Sequence, residues 1–374
     1  MLSYLLNNQH IQNLKELHLE SEKQRQKLVS FTPDKLDFIR KHSIISNIGA
    51  STRIENAVLT DIEIEWIDTA VVSVESGSYL AKAEPIKNKL SKDKERSIEE
   101  VAGYREALAI VYSFYQDYKK MSESAIKGLH RELLKYYSIA DYHLGDYKIQ
   151  SNSVVEKNDL TGKSRTIFQT ADPGVITSTQ MHDLVTWYSQ AADIEPWGIS
   201  VAVEFIFRFL AIHPFQDGNG RLSRLLFQLI LLNSQDENIS TIIPYIAIDR
   251  EIEKTRSEYY QVLRKCSEGI YKTDPAEYNY HYFLDYIINI FNKSLKNIDY
   301  YADKYDLYQA LTETDLSIYK AFKEMPEKSL QTKNLVSLLH IPRRTVIYAL
   351  NKLVKDGFLQ VLGAGAQKKY KLAF

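Results

Sequence analysis

Residues 213–224 read HPFQDGNGRLSR, and the way this stretch is understood decides both fold and site. Upstream, Phe205, Ile206, Phe209, Leu210 and Ile212 recur at helical spacing and predict a buried helix. Pro214 disfavours α geometry at the residue before it, so His213 is expected at the helix end, with its side chain directed into a cleft. Downstream, Leu222, Leu225, Leu226, Leu229 and Ile230 predict a second helix that opens near Gly220 or Arg221. A glycine-bracketed turn at a helix N-terminus aims unpaired backbone N–H groups at one point and adds the positive end of the helix dipole. Gly218 and Gly220 supply the unusual dihedrals and the close approach, while Arg221 and Arg224, three apart, can face one anion together. Two guanidiniums with a nest of amides suit a polyphosphate better than a single carboxylate. Asp217 adds a hard oxygen ligand of the kind that holds Mg²⁺ with substrate phosphates and water. His213, with a reference pKa of about 6.5, stands as general base for a hydroxyl nucleophile. Taken singly, a histidine at a helix end is commonly structural and Gly-Asn-Gly commonly a plain turn. Their conjunction within one short stretch points to phosphoryl or nucleotidyl transfer from a magnesium-bound nucleotide to an alcohol.

The chain of 374 residues is long enough for two or three domains with a sizeable core. Hydrophobic residues make up 44% and charged residues 25%, a globular balance without disorder or fibrous repeat. A formal net charge of -1 argues against a nucleic-acid coat over the whole surface. Cys266 is the one cysteine, so no disulfide framework exists. The start, MLSYLLNNQH, lacks a basic region followed by a long apolar core, and no apolar run reaches membrane-spanning length. A cytoplasmic protein away from the membrane is expected.

Periodicity elsewhere is mostly helical. Val101, Tyr104, Leu108 and Val111 mark an amphipathic helix within 98–118, and Ile126, Leu129, Leu133 and Leu134 mark another after a Ser122 or Ser124 cap. Between Leu144 and Val175 the helical period disappears, and β-prone runs at 153–155 and 166–168, separated by EKNDLTG, predict a hairpin. Near residue 311 the composition changes, since the tail 311–374 carries eleven Lys/Arg against five Asp/Glu. Its order of three helices and two short β-like runs around GAGAQ resembles a winged helix-turn-helix. The expected divisions are an N-terminal helical region 1–95, a catalytic core 96–272, a helical linker 273–310 and the winged-helix domain 311–374.

The 213–224 stretch is similar to the signature of the Fic family, His-x-Phe-x-(Asp/Glu)-Gly-Asn-Gly-Arg-x-x-Arg. It is met by His213, Phe215, Asp217, Gly218, Asn219, Gly220, Arg221 and Arg224. ASTRIENAVLT, EVAGYREAL, LHRELL and SEYYQVL resemble further segments of that family. The resemblance implies a mainly α, Fic-type helical bundle with a β-hairpin flap, and a protein adenylyltransferase that moves AMP from ATP to a Ser, Thr or Tyr hydroxyl. By that analogy His213 is catalytic and Asp217 positions Mg²⁺ or Mn²⁺. Gly218, Asn219, Gly220, Arg221, Leu222, Ser223 and Arg224 bind ATP, with Tyr259 and Tyr260 on the adenine side. Asn152, Ser153, Val154 and Val155 belong to the flap that docks the target by strand addition. Ser51, Glu55 and Asn56 resemble the family's inhibitory helix, (Ser/Thr)-x-x-x-Glu-(Gly/Asn), expected at about 51–60, with Glu55 pairing Arg224 and so denying it to the γ-phosphate. Read without the resemblance, Thr52 and Glu55 form an N-terminal capping box.

Other readings stand beside this one. Gly162–Ser164 spell the GKS of a P-loop, but Lys157 occupies the position of the required earlier glycine. No zinc spacing appears. Removal of AMP, transfer of another nucleotide, and a DNA-binding regulator acting through the tail stay open as alternatives. The target protein is left unnamed, and self-modification and a homodimer stay open as well.

Overall fold

The computed structural model describes residues 1–72, 79–90, 94–137, 143–157 and 164–373. It divides the chain into two compact units, Met1–Ala57 with Glu99–Asp299, and Val58–Ile98 with Tyr300–Phe374. No helix among the described residues is long and apolar enough to cross a membrane.

In the first unit, α1 (Asn8–Ser30) and α2 (Pro33–Ile54) precede the rest. In the second unit follow α3 (Asp61–Val72) and α4 (Ala83–Leu90). α5 (Glu95–Phe114) and α6 (Glu123–Leu134) come next, the latter capped by Ser122, one of the two serines its sequence offers. The hairpin is β1 (Ser153–Lys157) against β2 (Ser164–Gln169), antiparallel, with a bulge between Val154 and Val155. Glu156 and Lys157, expected in the connecting segment, continue β1, and residues 158–163, which hold the rest of that segment and the glycine and lysine of the GKS run, lie outside the described residues. Helices α7 (Val175–Ile194), α8 (Gly198–Ile212) and α9 (Asn219–Leu232) follow. α10 (Glu237–Ile242), α11 (Ile248–Lys254), α12 (Arg256–Ser267) and α13 (His281–Gln309) complete this part of the chain.

α8 is buried on every side, and Phe205, Phe207 and Phe209 are each fully enclosed. Burial of such a side chain stabilises by about 1.5–3 kcal/mol. α8 packs on both α7 and α9, so the turn between α8 and α9 is held between buried helices. α2 lies along α11 and α9, and Asn47 fixes it by donating to the Ile246 carbonyl and accepting from the Asp249 N–H.

Two expected boundaries differ. The region 1–95 is divided after Ala57, because α2 packs into the first unit, whereas Ile62 joins the core of the second and Glu65 pairs with Lys323 at 2.8 Å. The expected linker 273–310 is packed structure: Phe283, Leu284, Ile290 and Phe291 of α13 are buried.

The second unit ends in α14 (Glu313–Lys323), α15 (Thr332–Leu339), α16 (Arg343–Lys355) and the antiparallel hairpin β3 (Leu359–Leu362) and β4 (Lys369–Leu372). Ile318, Phe322, Leu335, Val346, Leu350 and Phe358 form its core.

Candidate active site

α8 ends at His213, whose backbone is left-handed at φ 51°, an uncommon geometry for a residue with a side chain. Its Nδ1 lies 3.3 Å from the Leu210 carbonyl. A carbonyl only accepts, so this partner assigns the proton to Nδ1 and leaves the Nε2 lone pair available. Burial, with the Lys148 cation adding to it, pushes the His213 imidazole down to about 4, so the ring is neutral near pH 7.

The loop that follows is pinned from beneath. His130 of α6 stacks on Phe215 with ring centroids 3.9 Å apart. Its Nδ1 accepts from the Gly145 N–H at 2.9 Å, so Nε2 carries the proton and donates to the Asp217 carbonyl at 3.0 Å. Burial pushes His130 to about 4, which keeps this arrangement neutral. Asn219 holds the other side: its Nδ2 donates to the Phe215 carbonyl at 2.7 Å and its Oδ1 accepts from the Phe215 N–H at 3.0 Å. The Asn219 side chain is therefore spent on loop shape, which leaves its first-turn N–H as the group it offers to the cavity.

α9 opens after Gly218, left-handed at φ 79°, and the first-turn N–H groups of Asn219, Gly220 and Arg221 have no intrahelical acceptor. Asp217 accepts from the Gly218 N–H and lies 3.3 Å from Arg221. Arg221 is almost fully buried, with Glu100 at 3.6 Å, and its Nε and Nη1 make no hydrogen bond. A buried guanidinium with donors left over is a site prepared for further oxygen ligands. Leu222 and Ser223, expected at the nucleotide, are turned into the core: both are buried, and the Ser223 hydroxyl donates to the Gly220 carbonyl. They sit on the side of α9 that packs inward, which a contiguous motif does not reveal.

The stretch STRIEN occupies the end of α2. The expected helix at about 51–60 and its N-terminal capping box are both corrected here. Thr52 donates backward to the Ile48 and Gly49 carbonyls, and Glu55 is the C-cap. The Ala57 N–H reaches the Thr52 carbonyl, the Asn56 N–H reaches the Arg53 carbonyl, and Asn56 is left-handed at φ 73°. This is a Schellman ending, and it explains why asparagine or glycine suits the last position of the pattern. Arg53 clamps the end through a two-pronged pair with Glu253 at 2.6 and 2.9 Å, and Arg256 donates to Asn56. Held in this way, Ser51 and Glu55 meet Arg224 directly. Arg224 Nε donates to the Ser51 hydroxyl at 2.8 Å, and Nη2 donates to the Ser51 carbonyl at 2.8 Å and to Glu55 Oε1 at 2.9 Å. The carboxylate also rests on Gly220, where a Cβ would collide with it.

The flap is tied to the same loop. Asn152 donates to the His213 and Phe215 carbonyls at 3.3 and 2.8 Å. Lys148, buried, donates to Asn152 Oδ1 at 2.8 Å, Thr170 Oγ1 at 3.1 Å and the Ile212 carbonyl at 2.9 Å. Burial pushes its ammonium down to about 8. Lys148, Thr170 and His130 carry no local signal in the sequence, because the groups they join, among them the Ile212 and Asp217 carbonyls, are brought together only by the fold.

These elements enclose a cavity of about 220 Å³. Its walls include His213, Asp217, Gly218, Gly220, Arg221, Arg224, Glu55, Tyr259 and Tyr260, with Asn152, Ser153, Val154 and Val155 along the flap side. Binding sites for small molecules span about 300–1,000 Å³, so with Glu55 seated the space is tight for a nucleoside triphosphate. Among the described residues no group of three His, Cys, Asp or Glu could hold a metal by itself. Asp217 on the cavity wall is a hard oxygen donor, the one residue of the signature that could contribute a carboxylate to a divalent ion.

The Fic/DOC family model matches residues 120–231, which span α6, the flap and α9. The chain is 32% identical over 90 residues to protein adenylyltransferase fic-1 of Caenorhabditis elegans, a match covering 24% of this chain and only 16% of that protein's length. It is 32% identical over 140 residues to a Fido domain-containing protein of Dictyostelium discoideum, covering 33% of this chain and 92% of the relative. The fold is similar to that of a Fic family protein from Desulfovibrio desulfuricans G20, with a TM-score of 0.55, 19% identity and coverage of 100% and 98% of the two chains. It is also similar to a Fic-1 fragment of C. elegans, with a TM-score of 0.52, 18% identity and coverage of 76% and 71%. With the signature seated on the turn between α8 and α9 and the relative from Dictyostelium matched over nearly its whole length, the chain belongs to the Fic/DOC family.

Proposed function

We propose that this protein transfers AMP from magnesium-bound ATP to a Ser, Thr or Tyr hydroxyl of a protein, and that Glu55 restrains the reaction. The observation that carries this is the convergence of a lone pair on His213 Nε2, the open first turn of α9 and the under-used guanidinium of Arg221 on one cavity. The C. elegans relative is a protein adenylyltransferase, which supports the choice of AMP as the transferred group.

His213 Nε2 takes the proton from the target hydroxyl as that oxygen bonds to the α-phosphorus of ATP. The bond between that phosphorus and the bridging oxygen breaks, and pyrophosphate leaves with the electron pair. The α9 N–H groups, Arg221 and Arg224 stabilise the charge on the phosphates. Asp217 would hold the divalent ion, which supplies charge neutralisation when bound. β1 pairs only with β2 among the described residues, so its other edge is open for an extended target segment to add as a strand.

Incubation of the Glu55→Gly variant with α-labelled ATP, Mg²⁺ and a protein mixture is expected to label protein, and excess chelator is expected to abolish the label. Label that persists in chelator contradicts the role given to Asp217, and absence of label from ATP with label from another nucleotide contradicts AMP as the group.

Lys148 acts as a positioning residue, because it holds the Ile212 carbonyl next to His213 and ties it to the flap. Lys148→Met on the Glu55→Gly background is expected to lower kcat by about 10- to 100-fold, a loss of roughly 1.4–2.7 kcal/mol in the barrier. Lys148→Arg should retain most of the rate. Loss of the cation also removes one cause of the low His213 pKa, so the acid limb of the pH–rate profile should move upward in Lys148→Met. An unchanged limb together with an unchanged kcat would assign Lys148 a purely structural role.

A further inference from the structure

The C-terminal unit carries a cationic face that the transfer site does not use. α15 ends at His340, left-handed at φ 54°, and α16 opens at Arg343, so the two helices are joined through a short turn at Ile341 and Pro342. Leu335, Val346, Ala349, Leu350 and Leu353 pack inward. The opposite side of α16 therefore points outward, and Arg344, Tyr348, Asn351 and Lys355 fall on one exposed stripe at steps of three and four. Tyr348 is 75% exposed, with its ring stacked on no other among the described residues. Beside this stripe lies a groove of about 650 Å³ whose polar lining includes Thr332, Lys333, Ser337, Arg343, Asn351 and Lys368, and no acidic residue.

Charge pairing sharpens the asymmetry. Asp315 is matched to Lys352 at 2.8 Å. By contrast, Lys333, Arg343, Arg344, Lys355, Lys368 and Lys369 form no ion pair among the described residues. Unpaired cations on α15, α16 and the β3–β4 hairpin, interleaved with amide, hydroxyl and aromatic groups, are complementary to a phosphate backbone with base edges between its strands. The geometry selects among polyanions. An α-helix fits the major groove of B-form DNA, which is about 12 Å wide, whereas the deep, narrow major groove of duplex RNA excludes one.

We propose that this face binds double-stranded DNA, with α16 in the major groove. Arg344, Tyr348 and Asn351 meet base edges, and Lys333, Arg343 and Lys368 meet phosphates. This assignment is independent of the transfer reaction.

The test uses the full chain and a short fluorescent DNA duplex of mixed sequence, followed by anisotropy. Binding on the order of 1–100 μM is expected without a matched sequence, and three to four phosphate contacts should weaken it about 40- to 150-fold between 50 and 200 mM salt. The double variant Lys333→Glu, Lys368→Glu should lose at least about ten-fold in affinity at low salt while its melting temperature stays near that of the wild type. Tyr348→Ala should lower affinity while leaving the salt slope unchanged. No anisotropy change at low salt, or binding indifferent to the double charge reversal, overturns the proposal. Equal or tighter binding of an RNA duplex overturns the choice of DNA, and so does capture of an acidic protein segment on this face with no duplex binding.

Discussion

Glu55→Gly is expected to raise AMP transfer by about 10- to 100-fold over wild type, the size of a site-to-site coupling of roughly 1.4–2.7 kcal/mol. The reason lies in what the carboxylate occupies. Glu55 Oε1 takes an Arg224 Nη2 proton at 2.9 Å and lies over Gly220 at the mouth of the first turn of α9. A triphosphate brought to that turn meets a negative charge where it needs a donor, and the arginine that would neutralise its far end is engaged. Glycine at position 55 is compatible with the backbone, because Glu55 is already the C-cap and the Schellman bonds from Asn56 and Ala57 are main-chain. Removal leaves the Arg224 charge with Ser51 as its remaining Glu55-side partner, and since Glu55 is about one-third exposed the cost is small, about 1–2 kcal/mol. The variant should therefore melt a few degrees lower than wild type and recover when magnesium and ATP are added. Glu55→Gln separates the causes: it keeps the shape, removes the charge, and should give an intermediate rate. Labelling by Glu55→Gly at or below the wild-type level would remove the inhibitory role.

His213→Ala on the Glu55→Gly background should cut kcat by about 10²–10⁴, the range contributed by a positioned general base. ATP affinity should change little, because the α9 N–H groups and both arginines are untouched. His213 sits at φ 51°, where alanine is strained and asparagine is tolerated, so His213→Asn serves as the partner variant that preserves the turn. Both should be equally inactive if proton removal is the cause. The pH dependence has a definite sign. His213 must be neutral to accept a proton, and its pKa is pushed down to about 4, so this group imposes no loss between pH 6 and 8 and the rate falls only as pH drops through the region of that pKa. A mid-range inflection near pH 6.5 that disappears in His213→Asn would mean that burial and Lys148 do not depress this imidazole.

The 213–224 stretch was legible because its requirements are local. A proline after the histidine, glycines around the turn and leucines at helical spacing each act on neighbouring backbone, and the structure places the turn between α8 and α9 where these cues put it. The hairpin was legible for the same reason, through its β-prone runs. STRIEN was read in the wrong direction. Thr52 and Glu55 have the spacing of a capping box, yet Asn56 in the left-handed region marks the end of a helix that began at Pro33. The competing cue was present, an asparagine just after an apolar helical run, and it outweighs the cap because α2 gains burial against α9 and α11 along its length. The roles of Lys148 and His130 in the loop were not legible, since the bonds that reach it run to the carbonyls of Ile212 and Asp217, far away in the chain. Backbone acceptors leave no mark in a sequence. The division of the N-terminal region after Ala57 was hidden for a similar reason, because Ile62 and Glu65 find their partners in the C-terminal helices.

Whether the first turn of α9 receives a triphosphate once Glu55 is gone is tested directly by a crystal structure of the Glu55→Gly variant with magnesium and a non-hydrolysable ATP analogue. The phosphates should lie on the N–H groups of Asn219, Gly220 and Arg221, with Arg224 turned from Ser51 toward the terminal phosphate and His213 Nε2 facing the side of the α-phosphorus that a hydroxyl would approach. Nucleotide bound elsewhere, or bound here with Arg224 still on Ser51 and the α-phosphorus out of reach of His213, would contradict it.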